Sequence, residues 1–228
     1  MKYSLTFALL GALVCYWAVS LGGLWHILVW IAISLFTLSA GYAGIGPKIF
    51  CKRPDGTIPL WVKIIHLPFL LYSAIIWYCM LILNRENPFD KVDDNLILGR
   101  RLFANELPPN IINYVDLTAE FEDPLEIRQS TNYISLPILD ASVPSPQGLI
   151  SALSRLRSGN TYVHCAQGHG RTSLFALALL STQGSVRSFE DGFSLLKEVR
   201  PGIGLNNAQE TFIRKFISEQ CRIFIEDE

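Results

Sequence analysis

His164-Cys165-Ala166-Gln167-Gly168-His169-Gly170-Arg171-Thr172 is a loop sequence that opens with a cysteine, closes with an arginine and carries two glycines between them. Before it, Thr161-Tyr162-Val163 is β-branched and aromatic, the composition of a short buried strand; after it, Thr172 to Leu180 is an alanine- and leucine-rich run suited to a helix. The loop between them therefore ends at a helix N-terminus, where unpaired backbone N–H groups and the helix dipole favour an anion. Gly168 and Gly170 are expected to take positive φ so that successive amides turn inward. Arg171 closes the loop with a planar fork that grips two phosphate oxygens at once, which a lysine cannot do. The same field lowers the pKa of the Cys165 thiol, making it a nucleophile at neutral pH. We assign Cys165 the attack on phosphorus to give a cysteinyl-phosphate. Thr172 is placed to donate to the sulfur and help it leave, and His164 to brace the loop backbone.

Cys165 to Arg171 matches the H-C-x5-R-[ST] signature of the cysteine-dependent protein tyrosine phosphatases, and the short domain resembles their dual-specificity branch. Asn95-Leu96-Ile97-Leu98-Gly99 is similar to the family's opening strand, and Tyr114-Val115-Asp116-Leu117-Thr118 to the strand that follows. Arg200 to Gln209 resembles the later loop, in which an asparagine and a glutamine lie beside the phosphate site. The resemblance runs from about Asn87 to Phe224. It implies a general acid on a mobile loop before the cysteine, and Asp140, in Leu136-Pro137-Ile138-Leu139-Asp140-Ala141-Ser142-Val143-Pro144, is the candidate. Asp116, at a strand end, and Asp123, in a charged turn, are the weaker alternatives. The resemblance also implies that Gln209 positions the hydrolytic water and that Asn206 shapes the loop around it. Ala166, Gln167, Gly168, His169 and Gly170 then line the phosphate, with His169 facing substrate. No cofactor is implied, and no histidine, cysteine or carboxylate cluster has the spacing of a metal site.

The two ends of the chain differ in charge. Residues 1–83 hold one acid, Asp55, against five bases, Lys2, Lys48, Lys52, Arg53 and Lys63, while the remainder has 14 bases against 19 acids. The acidic remainder is not a polybasic nucleic-acid binder. No charged residue occurs from Tyr3 to Pro47, a span too long for one membrane helix of about 20 residues. With Leu21-Gly22-Gly23 as a break, it reads as two helices, Tyr3 to Ser20 and Leu24 to Tyr42. A third runs from Pro59 to Leu83, with Lys63 near one end and Pro68 inside. All five tryptophans, Trp17, Trp25, Trp30, Trp61 and Trp77, fall in this region, several near helix ends as interfacial anchors do. Lys2, an apolar stretch and Ala18-Val19-Ser20 also resemble a cleaved signal peptide, but a second apolar run follows almost at once.

Three spans put Lys2 and the Lys48 to Arg53 loop on one side of the bilayer, with Arg85, Lys91, Arg100 and Arg101 beyond the third helix on the other, so the positive-inside rule decides little. Five cysteines, Cys15 and Cys79 intramembrane, show no disulfide framework, and a reduced Cys165 favours the cytoplasmic side. The expected organisation is a helical membrane anchor over 1–83, a short linker over 84–95 and a phosphatase domain over 96–228. The domain is expected to be α/β, a central sheet flanked by helices. Strands are read at Leu96–Gly99, Ile112–Leu117, Tyr133–Leu136 and Thr161–His164, and helices at Pro146–Arg157, Arg171–Gln183, Ser188–Val199 and Asn206–Ile223. The substrate is expected to be a phosphoprotein (tyrosine, serine or threonine) or a phospholipid headgroup. A phosphate-binding adaptor without turnover and a sulfur-transfer enzyme are the alternatives.

Overall fold

The computed structural model describes residues 2–84 and 86–226, with side chains through residue 220. Arg85, counted above among the flanking bases, and the side chains of Cys221 and Phe224 lie outside the described residues.

The chain divides into two compact units. The first is helical: α1 spans Lys2–Leu21, α2 Leu28–Ala40 and α3 Leu60–Leu83. The break between α1 and α2 falls where the sequence places it. Gly22 and Gly23 both have positive φ, 64° and 58°, a conformation that glycine adopts without steric cost. α2 is shorter than expected because a tight helical turn, Gly23–Ile27, precedes it, and a wider turn, Gly41–Ile45, and another tight one, Gly46–Phe50, follow it. Counting these turns, all three segments are long and apolar enough to cross a membrane. Polar contacts tie them together: Ser39 Oγ donates to the Ser4 carbonyl at 2.8 Å, and Trp30 Nε1 to the Ile64 carbonyl at 2.8 Å. Leu5, Leu9, Val19, Leu60 and Trp61 point outward. A water-soluble helical hairpin buries such side chains, and a lipid-facing one does not.

The second unit is built on a five-stranded sheet of order β1-β2-β5-β3-β4. The strands are β1 Phe89–Lys91, β2 Leu96–Arg100, β3 Asn113–Thr118, β4 Asn132–Ile138 and β5 Thr161–Cys165. All neighbours are parallel except β1, which runs antiparallel to β2. β5 is central and buried along its whole length, as an interior parallel strand is. It also lies where the order of the parallel strands reverses, so the loop at its carboxyl end opens into the crevice where ligands bind in open α/β sheets.

Alternation along the strands sorts the two faces. Leu98, Val115, Ile134, Val163 and Cys165 point to one side, against α5 (Pro146–Ser154), α6 (Gly170–Thr182), α7 (Phe189–Val199) and α8 (Asn207–Glu226). Ile97, Tyr114, Tyr133 and Tyr162 point to the other, with Leu102, Ile111 and Ile127 of α4 (Leu125–Ser130). There Tyr114 stacks on Tyr162, ring centroids 5.1 Å apart. α6 is buried from Arg171 to Ser181, which accounts for its lack of a polar face.

Two elements were not expected. β1 lies in the segment read as linker; its three residues, two of them charged, suit an exposed sheet edge and carry no strand signal. α4 has only six residues, too few for a helical period to show. β4 also runs through Pro137, which an edge strand tolerates. α5 ends at Ser154, three residues short of the expected Arg157.

Candidate active site

Cys165 is the last residue of β5 and is 4% exposed. Burial alone pushes its thiol pKa up. That push is outweighed by the Arg171 charge, the Thr172 hydroxyl and the amides of His169 and Gly168 turned toward the sulfur, which hold the pKa below the ordinary thiol value. The Thr172 hydroxyl that acts on the sulfur is itself fully buried. A free thiol titrates near 8.5. Alkylation of Cys165 by iodoacetamide, followed by mass spectrometry of its peptide, should therefore reach half its maximal rate below that pH, because the reactive thiolate persists as pH falls until the lowered pKa is crossed. A midpoint at or above about 8.5 would contradict the arrangement.

Gly168 has φ 76°, and a Cβ there would collide with the Gly99 carbonyl oxygen, so glycine is required on both counts. Gly170, expected to share that conformation, instead opens α6. Arg171, 3% exposed, donates from Nη1 to the Ile138 carbonyl at 2.9 Å and places Nη2 3.3 Å from Asp140 Oδ1. The guanidinium thus joins the cysteine loop to the end of β4. Asp140 is the most solvent-accessible member of the group, its side chain 78% exposed.

His164, on the opposite face of β5 from Cys165, packs on Tyr114 at 4.7 Å. Its Nδ1 lies 3.2 Å from the Cys165 carbonyl oxygen and its Nε2 3.1 Å from Asp123 Oδ2. Both neighbouring atoms are oxygens, which favour a protonated ring. Burial opposes that charge, but Asp123 and Asp116 outweigh it and raise the pKa. His164 thus contacts the loop backbone, with no substrate proton in reach.

The alternative acids are committed elsewhere. Asp116 is fully buried, accepting from the Thr118 amide at 2.8 Å, the Thr118 hydroxyl at 2.6 Å and the Tyr133 hydroxyl at 2.5 Å. Asp123 is not in an open charged turn: it is 4% exposed, against His164 and 3.5 Å from the Arg101 guanidinium. The fold brings donor atoms of Asp116, Asp123 and His164 within 4.8 Å of one another, a proximity that sequence spacing does not show. Tyr133 donates into both carboxylates, its phenol held protonated by burial and by their charges. The Arg101 guanidinium beside Asp123 and the Tyr133 hydroxyl on both carboxylates already occupy the cluster's acids.

His169 turns away from the loop's interior, with Nε2 2.7 Å from Glu86 Oε2. A residue without an assigned role in the sequence reading is central here. Arg200, 2% exposed, donates to the carbonyls of Gly168 (3.1 Å) and Gln167 (3.2 Å) and pairs with Asp90 (2.6 Å) and Glu86 (3.2 Å). It braces the cysteine loop from behind. Its only sequence signal is an arginine just before Pro201-Gly202, where a helix stops.

Asn206 and Gln209 lie beside the loop that carries Asp140. Asn206 Nδ2 donates to the Ala141 carbonyl at 2.9 Å and Gln209 Nε2 to the Ser142 carbonyl at 3.1 Å. Gln209 also borders Gly170, where a Cβ would lie 3.0 Å from its Oε1.

No protein-family model and no curated protein sequence matches the chain. Solved structures do. PTPMT1 in complex with PI(5)P superposes with a TM-score of 0.54 at 17% identity, over 60% of this chain and 99% of that one. A mouse dual specificity phosphatase complexed with zinc tungstate gives 0.53 at 17% identity, over 62% and 94%. The fold is that of the dual-specificity phosphatases. Tk-PTP in its active form shares it, with a TM-score of 0.50 at 20% identity over 59% and 97% of the two chains. In this phosphatase fold the three apolar N-terminal helices are an addition, since the matched structures are covered almost completely by three-fifths of the chain.

Proposed function

We propose that the chain is a membrane-anchored, cysteine-dependent phosphatase that hydrolyses phosphomonoesters carried at the bilayer surface. The observation that supports it most is the buried Cys165 sulfur, its pKa held down by Arg171, Thr172 and two inward amides. The Cys165 thiolate attacks phosphorus while Arg171 and the loop amides hold the non-bridging oxygens. Phosphate competes with Asp140 for Arg171; the displaced carboxylate takes a proton from solvent and gives it to the departing ester oxygen. Water then attacks the cysteinyl-phosphate, giving its proton back to Asp140, and the thiolate leaves with a hydrogen bond from Thr172. No metal or cofactor is invoked.

A phospholipid monoester is the substrate favoured here. Three apolar helices would keep the chain at a bilayer, and a protein of the same fold was solved with a phosphoinositide. The loop offers Ala166, Gln167 and a His169 already paired with Glu86, and no lysine, which favours a headgroup bearing one phosphate over a multiply phosphorylated one. Phosphotyrosine, phosphoserine or phosphothreonine proteins near the membrane are the second class, the mouse neighbour being a dual specificity phosphatase. The need to keep Cys165 reduced favours the cytoplasmic side for the catalytic unit.

Detergent-purified protein assayed side by side on singly phosphorylated phospholipids and phosphopeptides should release phosphate from the lipids with the higher kcat/KM. A preference for the peptides would overturn the lipid assignment, and no turnover of either would leave the phosphate-binding adaptor.

A further inference from the structure

Asp140 has to stand at one place relative to Cys165 and Arg171 to protonate a leaving group, yet it sits on an exposed turn. That turn carries a conformation its sequence does not favour. The Ser142 amide donates to the Leu139 carbonyl at 3.0 Å, and Ala141, third of the four residues, has φ 55°. Turns place glycine or asparagine there, since a Cβ in the left-handed region crowds the backbone. Something outside the turn must hold it.

The holding groups are the two amides at the start of α8. Asn206 Oδ1 accepts from the Ala208 and Gln209 amides, each at 3.0 Å, and Gln209 Oε1 accepts from the Asn206 amide at 3.2 Å. This is a reciprocal cap of the helix N-terminus, made by residues three apart. It uses the oxygens of both side chains and leaves both NH2 groups to point away from the helix. They donate to the carbonyls of Ala141 and Ser142, the strained residue and the one after it. Gln209 meanwhile abuts Gly170 at the start of α6. One helix cap therefore touches both the acid loop and the cysteine loop.

We infer that Asn206, Gln209 and the left-handed Ala141 form a latch that sets the position of Asp140 over the cysteine loop. Asn206 and Gln209 are positioning residues, acting on the chemistry through Asp140. The inference rests on Asp140 being the general acid proposed above.

Asn206→Asp and Gln209→Glu separate the latch from the cap. Each keeps the oxygens that cap α8, and carboxylates suit a helix N-terminus, but each turns an acceptor toward a carbonyl in place of a donor. The full chain in detergent should keep its melting temperature while losing about tenfold or more in kcat/KM on an alkyl phosphate, whose leaving group needs the acid. The loss on a nitrophenyl phosphate, whose leaving group needs little protonation, should be several-fold smaller. Ala141→Gly, which accepts the left-handed conformation, should retain the alkyl phosphate rate, and Ala141→Val should lose it. Equal losses on both substrates, or none, would overturn the latch. Hydrogen exchange of the Ser142 amide gives a readout independent of turnover: it should quicken in Asn206→Asp and Gln209→Glu, and unchanged exchange overturns the latch whatever the activities. If Asp140→Asn leaves alkyl phosphate hydrolysis intact while Ser142 exchange quickens in the latch variants, it is the acid assignment that fails.

Discussion

Cys165→Ser should lower kcat by about 10^4-fold or more on any phosphomonoester, because it removes the nucleophile and leaves the rest of the site in place. The surroundings of position 165 act on an acidity already within reach: a thiol near 8.5 is brought down by Arg171, Thr172 and two amides against the opposing effect of burial. A serine hydroxyl is far too weak an acid for the same surroundings to ionise at neutral pH. Little else is lost: the Arg171 bond to the Ile138 carbonyl and the Arg200 brace do not involve the side chain at 165, and a serine oxygen can still accept from the Gly168 and His169 amides that face the sulfur. The variant should therefore still bind tungstate, seen as a thermal shift of the detergent-solubilised protein. Turnover within tenfold of the parent would remove Cys165 from the chemistry, and loss of tungstate binding would show that the substitution disturbs the loop.

Arg171→Lys, which conserves charge, should lower kcat/KM by about a hundredfold or more. Arg171 is buried, with one terminal nitrogen on the Ile138 carbonyl and the other facing Asp140. The planar fork lets one nitrogen remain anchored to the end of β4 while the other turns from Asp140 to phosphate. A lysine has a single nitrogen and cannot do both, so the acid loop and the phosphate lose their common partner. The effect should appear in kcat as well as KM, since phosphoryl charge is stabilised most in the transition state. A change confined to KM would reduce Arg171 to a ground-state binding group.

Much of this site was legible in the chain because its signal is local. Cys165 to Thr172 are contiguous, and the strand before them and the helix after them follow from apolar runs on either side. The long apolar segments were legible for the same reason. What was hidden depends on contacts distant in sequence. Asp123 reads as a member of a charged turn until the fold lays it against His164, some forty residues away. Arg200 looks like the last residue of a surface helix, and only the tertiary structure puts it under the carbonyls of Gln167 and Gly168. Gln209 is informative in a different way. The resemblance points to water positioning, whereas the amide in this structure is divided between the α8 cap and the Ser142 carbonyl. The left-handed Ala141 has no sequence signal at all, because alanine is not the residue that marks such a turn.

The central claim is that phosphate passes through the Cys165 sulfur. Mixing the purified protein with substrate and quenching in acid within the first turnover should trap phosphate on the peptide containing Cys165, in amounts approaching one per active site. Phosphate release proceeding at full rate with no label on that peptide, or with the label on another residue, would contradict it.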